Sequence, residues 1–286
     1  MKVLVTGAAG MLGQALVPAL EAAGHQALGL SRRDCDVTDY KSLAHPFKVF
    51  GPDWVFNLAA FTRVDACEAR ADHAYLVNGL GARNAALAAA DVGASVLTVS
   101  TDYVFDGGSN RPHREYDVPA PRSVYGASKL AGELAVREVN PRHIIVRSAW
   151  LFGRGGHNFV DTILRKARAG EPLRVVDDQR GSPTSTVDLA EGLVRLAAAG
   201  QYGTYHCTSS GDCTWYEFAV HVIGAEGLSV ELRSTDSESL GRPASRPAYS
   251  VLSNLLYEHV TGHRMPHWRA AVDRYLKPGS REKATP

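Results

Sequence analysis

Residues 2–16 read KVLVTGAAGMLGQAL: a short apolar run, Val3 to Val5, then Gly7, Gly10 and Gly13, then an apolar helical stretch. That order is a strand, a glycine-rich turn and the start of a helix. Glycines at such a turn permit a tight bend, close backbone approach to a pyrophosphate and close helix packing, while the helix N-terminus supplies N–H donors and the positive end of its dipole. The spacing is GxxGxxG, a departure from the GxGxxG of the ordinary dinucleotide fingerprint. Its position directly after a first strand makes Gly7, Gly10, Met11, Leu12 and Gly13 candidate cofactor contacts.

The alternation continues. Ala27–Leu30, Trp54–Leu58, Val96–Ser100 and His143–Arg147 read as further strands, each followed by helix-period sequence such as the alanine-rich stretch from Ala82 to Ala90. Strands alternating with helices predict an α/β fold, a Rossmann-type doubly wound parallel sheet, with ligands gathered at the carboxyl ends of the strands. Gly7, Asn57, Ser100 and Trp150 fall there. From about residue 154 the pattern loosens into short helices (Phe159–Ala169, Val187–Ala199, Trp215–Gly224) and turn-rich stretches. The expected division is a cofactor domain over residues 1–153, to which some later segments return, and a smaller irregular substrate lobe over 154–286. The tail PGSREKATP reads as frayed.

Composition fits a water-soluble enzyme. The 286 residues are 45% apolar with a net charge of +1, so no field for nucleic acid or a membrane surface is advertised. Four cysteines without CxxC spacing predict neither zinc nor disulfides and suit a reduced cytoplasm. No 18-residue apolar segment occurs and no charged leader precedes Val3, so a cytoplasmic location without membrane attachment is expected.

The string YGASK places Tyr125 and Lys129 one helical turn apart, so both side chains leave the same face. A phenol beside an ammonium makes a proton donor, because a nearby cation favours the phenolate and lowers a pKa that is ordinarily about 10. YxxxK alone occurs on many exposed helices; the glycine turn upstream gives it meaning. At the end of the second strand, LGLSRRDCD puts Ser31, Arg32 and Arg33 where an NAD-selective site places a carboxylate. This favours NADPH, with NADH left open by Asp34 and Asp36. Ala59 and Ala60 in NLAA are small enough for close approach to a cofactor.

Taken in order, VTGAAGMLG, NLAAFTRVDACE, STDYVFDG, YGASKLAGE, RSAWLFG, DQRGSPTS and RPAYSVL resemble the extended short-chain dehydrogenases, and among them the dTDP-4-dehydrorhamnose reductases, from residue 2 to about 256. STDYVFDG and DQRGSPTS are the specific pieces. The resemblance implies hydride transfer from NADPH to the C4 ketone of dTDP-4-dehydro-L-rhamnose, giving dTDP-L-rhamnose. It implies Tyr125 as acid, Lys129 as ribose holder and Thr101 as hydroxyl partner, with Ser100 as the alternative. Asp36 would face the adenine. Asp102, Tyr103, Trp150, Asn158 and Gln179 would line the nucleotide-sugar site, with Phe159, Ser182 and Pro183 beside them. Two other functions share these features: a sugar-nucleotide epimerase or other 4-keto sugar-nucleotide reductase, and a non-catalytic NADP-binding regulatory subunit like that of methionine adenosyltransferase. Some members of the family dimerise around Mg²⁺ held by glutamates. No acidic cluster here can be assigned to that site, so no metal is expected, and a homodimer stays open.

Overall fold

The computed structural model describes residues 1–277, so the tail PGSREKATP lies outside the described residues. The first half runs β1 (Lys2–Thr6), α1 (Met11–Ala22), β2 (Gln26–Leu30), α2 (Tyr40–Phe50), β3 (Trp54–Asn57), α3 (Val64–Ala69), α4 (Ala71–Ala74), a π-helical turn (Tyr75–Leu80) and α5 (Gly81–Asp91). Then come β4 (Ser95–Thr101), a 3₁₀ turn (Asp102–Val104), α6 (Val124–Val139) and β5 (His143–Ser148). The remainder holds β6 (Leu151–Phe152), α7 (Phe159–Arg168), β7 (Leu173–Val176), β8 (Arg180–Gly181), β9 (Thr184–Ser185), α8 (Thr186–Ala199), β10 (Gly203–His206), β11 (Cys213–Thr214), α9 (Trp215–Ala225), β12 (Leu232–Thr235), α10 (Ser237–Leu240), α11 (Leu255–Thr261) and α12 (Trp268–Leu276).

Six parallel strands form the main sheet in the order β10-β5-β4-β3-β1-β2. The chain goes from β1 outward to β2, then crosses back over β1 to β3, so the winding reverses between β1 and β3. A crevice opens at their carboxyl ends, where such sheets take ligands. Side chains alternate across each strand, which builds two cores from one sheet. Val3, Val5, Phe56, Leu97 and Val146 pack on one face with Leu16 and Leu20 of α1. Leu4, Val55, Val96 and Ile145 pack on the other with Leu43 and Phe47 of α2 and the alanines of α5. Small alanines let α5 lie close to the sheet and to α6. Among the described residues no helix is long and apolar enough to cross a membrane.

The helix boundaries agree closely with the sequence expectations: α7, α8 and α9 begin and end within a residue of the anticipated limits. Periodicity does not reveal where the late elements go. Leu189, Leu193 and Leu196 of α8 complete the core under α1, and β10 adds the sixth strand beside β5. A third core, with Phe152, Ile163, Leu164, Phe218, Val222, Trp268 and Val272, belongs to the smaller lobe.

If α8 is part of the cofactor domain's core, truncating a side chain there must weaken that domain. Leu193 is fully buried. Leu193→Ala should lower unfolding free energy by about 2–5 kcal/mol, as buried Leu-to-Ala changes do. Urea denaturation followed by circular dichroism should show the loss in one cooperative transition.

Candidate active site

The cofactor-side cleft follows from the turn after β1. Gly7 has φ +70°, and a Cβ there would lie 2.7 Å from the Ala59 backbone nitrogen, so only glycine lets the ends of β1 and β3 approach this closely. A Cβ at Gly13 would meet Ala8 Cα at 2.5 Å, which seats α1 against the turn. Gly10 starts α1 in an extended conformation and no side chain caps the helix, so its first N–H groups face the cleft without a side-chain acceptor. Met11 is half-buried beside Gly156, while Leu12 turns its side chain into the core and contributes to this end only through its backbone.

Gly7, Gly10, Arg32, Asp36, Ala59 and Ala60 line this cleft. The Arg32 guanidinium stands 3.7 Å from Asp36, and its side chain is 76% exposed. The Thr38 N–H and hydroxyl donate to the Asp36 carboxylate at 2.9 and 2.8 Å, which holds that carboxyl below its usual range. Ser31 directs its N–H and hydroxyl to Asp34, both at 2.7 Å, and that carboxyl too is lowered. Arg33 is exposed, its N–H donates to the Ser31 hydroxyl, and it is not among the residues that line the cleft. Asn57 lies behind the wall: its amide accepts from Thr6 Oγ1 at 2.7 Å and donates to Thr98 Oγ1 at 3.2 Å, tying three strands together.

The proton-transfer residues meet at the carboxyl end of β4. Ser123 caps α6 by accepting from the Gly126 N–H, and Glu68 accepts from the Val124 N–H at 2.9 Å, which fixes where α6 starts. Tyr125 therefore stands in the first turn, and Lys129 follows one turn deeper, 8% exposed, with its Nζ donating to the Val99 carbonyl at 2.7 Å. Thr101 ends β4; its hydroxyl donates to Asp102 at 3.0 Å and accepts from the Tyr103 N–H at 3.2 Å. The Tyr103 ring meets Tyr125 edge to face at 5.5 Å.

The electrostatics differ from the sequence expectation. Burial raises the Tyr125 pKa well above its ordinary value, Asp102, Tyr103 and Cys67 push the same way, and only the Thr101 hydroxyl opposes them. Lys129 donates its ammonium to the Val99 carbonyl, and burial brings it down to about 8 against the pull of Glu133. Burial also lifts Asp102 to about 6, opposed by hydrogen bonds from Ser250 and Thr101.

Beyond the end of β5, Trp150 follows shortly after Ser148, which pairs in register with Thr101. It is the one non-glycine residue with positive φ (49°) among the described residues. Its ring stacks on Trp215 at 3.6 Å with planes 6° apart, and a Cβ at Gly181 would sit 2.5 Å from the indole. The ring thus packs against both Trp215 and the Gly181 backbone and is not a bare platform for a sugar. Sequence reasoning did not single out Trp215; the available signal was its place directly after Thr214, whose capping box with Glu217 starts α9.

Asn158 is fully engaged in structure. It caps α7 by accepting from the Asp161 N–H and donates to Gly153, Asp161 and Tyr275. Gln179 is buried, and its amide donates to Ser237 at 2.7 Å. The structure therefore brings Thr101, Asp102, Tyr103, Tyr125 and Lys129 together, while Asn57, Asn158 and Gln179 lie apart from them, each with hydrogen bonds of its own. The four cysteines are buried free thiols.

Comparison with known proteins agrees with this geometry. A family model described as the RmlD substrate binding domain matches residues 1–280. The spore coat polysaccharide biosynthesis protein SpsK of Bacillus subtilis (strain 168) is 45% identical over 276 residues, 96% of this chain and 97% of that one. A dTDP-4-dehydrorhamnose reductase of Streptomyces griseus is 44% identical over 278 residues, covering 94% and 91%. The crystal structure of dTDP-4-dehydrorhamnose reductase from Bacillus anthracis str. Ames in complex with NADP superposes with a TM-score of 0.93 at 36% identity, covering 96% of this chain and 98% of that one. With the glycine turn, the Tyr125–Lys129 helix and Thr101 disposed as described, the chain belongs to the dTDP-4-dehydrorhamnose reductase family.

Proposed function

We propose that the protein reduces the C4 ketone of dTDP-4-dehydro-L-rhamnose to dTDP-L-rhamnose at the expense of NADPH. The convergence of Thr101, Tyr125 and Lys129 at the carboxyl end of β4 carries this reading, in a chain 44% identical to a reductase so named. The cleft fits the cofactor. The uncapped start of α1 suits a pyrophosphate, Gly7 leaves room where a Cβ would collide with Ala59, and Arg32 stands where a 2′-phosphate needs a cation.

NADPH, when bound, supplies the hydride. As the new C–H bond forms at C4, the carbonyl electron pair moves to oxygen, and that oxygen needs a proton. Tyr125 holds it, since burial keeps the phenol protonated at neutral pH. The Thr101 hydroxyl steadies the same oxygen, while Lys129 stands ready to offset the phenolate left when the proton departs. The phenolate then takes a proton from solvent. Trp150 and Trp215 act together as the aromatic wall on the sugar side. The buried free thiols suit a cytoplasmic setting.

Purified protein given NADPH and dTDP-4-dehydro-L-rhamnose should oxidise the cofactor, followed at 340 nm (about the usual nicotinamide band), and NMR of the sugar should identify dTDP-L-rhamnose. dTDP-glucose has no ketone and should leave NADPH untouched. Well-folded protein that binds NADPH but never consumes it would favour the regulatory alternative instead.

Tyr125→Phe keeps the ring beside Tyr103 but removes the acid. Turnover should fall by about 10²- to 10⁴-fold, the usual worth of general acid catalysis. NADPH affinity, measured by fluorescence titration, should be unchanged.

Of the two arginines after β2, Arg32 is the one that lines the cleft, so it is the first to test for cofactor preference. Arg32→Ala should weaken NADPH binding by about 1.5–3 kcal/mol, the range for a charge-assisted hydrogen bond, and leave NADH binding nearly unchanged. Calorimetric titration with both cofactors makes the comparison, and an equal loss for both would place the 2′-phosphate elsewhere.

A further inference from the structure

Tyr125, Lys129 and Glu133 follow one another at four-residue spacing along α6, so they form one stripe that descends from the site into the protein. The bottom member is unusual. Glu133 is 1% exposed, and Arg147 of β5, also 1% exposed, grips it with two bonds of 2.9 and 2.7 Å. We propose that Glu133 is a positioning residue for the reaction: clamped by Arg147, it keeps the Lys129 ammonium charged inside the protein. This deepens the reductase reading above and rests on it for the role of Lys129.

A lone ammonium in this wall has one polar contact, the Val99 carbonyl, and its burial favours the neutral amine. Glu133 is the charged group that opposes this at Lys129. Other neighbours act elsewhere. Asp102 and Tyr103, from the turn after β4, bear on Tyr125; Asn78, from the π-helical turn, bonds Ser128 as a neutral amide. Around Glu133, Arg147 comes from β5 and Arg137 from α6 itself at 3.5 Å, with a side chain 38% exposed. Arg147 in turn faces the Glu115 carbonyl, the Phe105 ring and His206 of β10, which burial holds neutral at about 3. Two buried charges in contact stabilise a fold poorly compared with apolar residues of the same size. One turn below Lys129, the carboxylate has a task that an apolar residue could not perform, and Arg147 serves it by fixing the carboxylate in place, its own charge acting the other way.

The test reads Lys129 directly. Protein carrying ε-¹³C lysine is titrated by NMR, with the Lys129 resonance identified by its loss in Lys129→Arg. Glu133→Gln keeps the shape and an amide acceptor for Arg147 but removes the charge, so the Lys129 midpoint should fall by about 1 pH unit. Glu133→Asp should restore most of it. The alkaline limb of kcat/KM for NADPH consumption should move down with the midpoint. A role confined to stability would lower the Tm and leave the midpoint in place, and that result would overturn the proposal. If Glu133→Gln is recovered only unfolded, Arg137→Gln decides. It changes a half-exposed side chain, removes one counter-cation and should raise the Lys129 midpoint; no rise overturns the proposal. A midpoint that moves as expected in a protein that never turns over the sugar would remove the reductase reading and leave the Glu133–Lys129 relation intact.

Discussion

Lys129 carries its ammonium into the wall between α6 and β4 and donates a 2.7 Å bond to the Val99 carbonyl, and much of the surrounding architecture follows from making that bond reachable. A buried cation needs a partner at hydrogen-bond distance, because leaving it unpaired in low dielectric is costly. The helix must therefore press tightly on its neighbours. A Cβ at Gly126 would lie 2.1 Å from the Tyr103 carbonyl, and one at Gly132 would lie 2.2 Å from the Asn78 carbonyl. Those close approaches bring Tyr125 beside Thr101 and Tyr103 and let Lys129 reach the strand.

The two charged ends of the site are built on different principles. At the cofactor end the groups are backbone N–H donors and exposed side chains such as Arg32, where solvent weakens each contact and a multivalent anion would be bound by their sum. At the reacting end, burial raises Tyr125 and lowers Lys129, so each group is biased toward its neutral form. With its pKa lowered to about 8, Lys129 still favours the charged form at pH 7. A protonated phenol and a charged lysine are the pair that ketone reduction needs at the outset.

What could be read in the sequence was local. The β1–turn–α1 unit, the alternation of strands and helices and the Tyr125–Lys129 spacing depend on residues close together in the chain, and their periods and glycine positions survive into the fold. What could not be read depends on partners far along the chain. The stacking of Trp150 on Trp215 joins residues from two segments and covers one face of each ring, a partnership no local pattern encodes. The upward displacement of Tyr125 comes from desolvation, which no spacing encodes. Asn57 and Asn158 sit where polar contacts with a ligand were expected, yet their amides satisfy Thr6, Thr98, Gly153 and Tyr275. β10 is the four-residue stretch GTYH, too short and too polar to stand out as a sheet strand; only pairing with β5 makes it part of the main sheet.

The return of late segments also constrains how the smaller lobe can serve the site. Residues 244–252 run back along the turn after β4: His113 bonds to Val251, Ser250 lies beside Asp102, and Arg246 pairs with Asp65 of α3 at 3.0 Å. Two late segments thus pack on the first half of the chain: α8 against α1, and residues 244–252 against the turn after β4 and against α3. Trp150, just beyond the end of β5, combines a positive φ, a sparsely populated backbone region for a bulky residue, with a ring held flat on Trp215, so the stack between segments 65 residues apart fixes a conformation that local sequence would not favour.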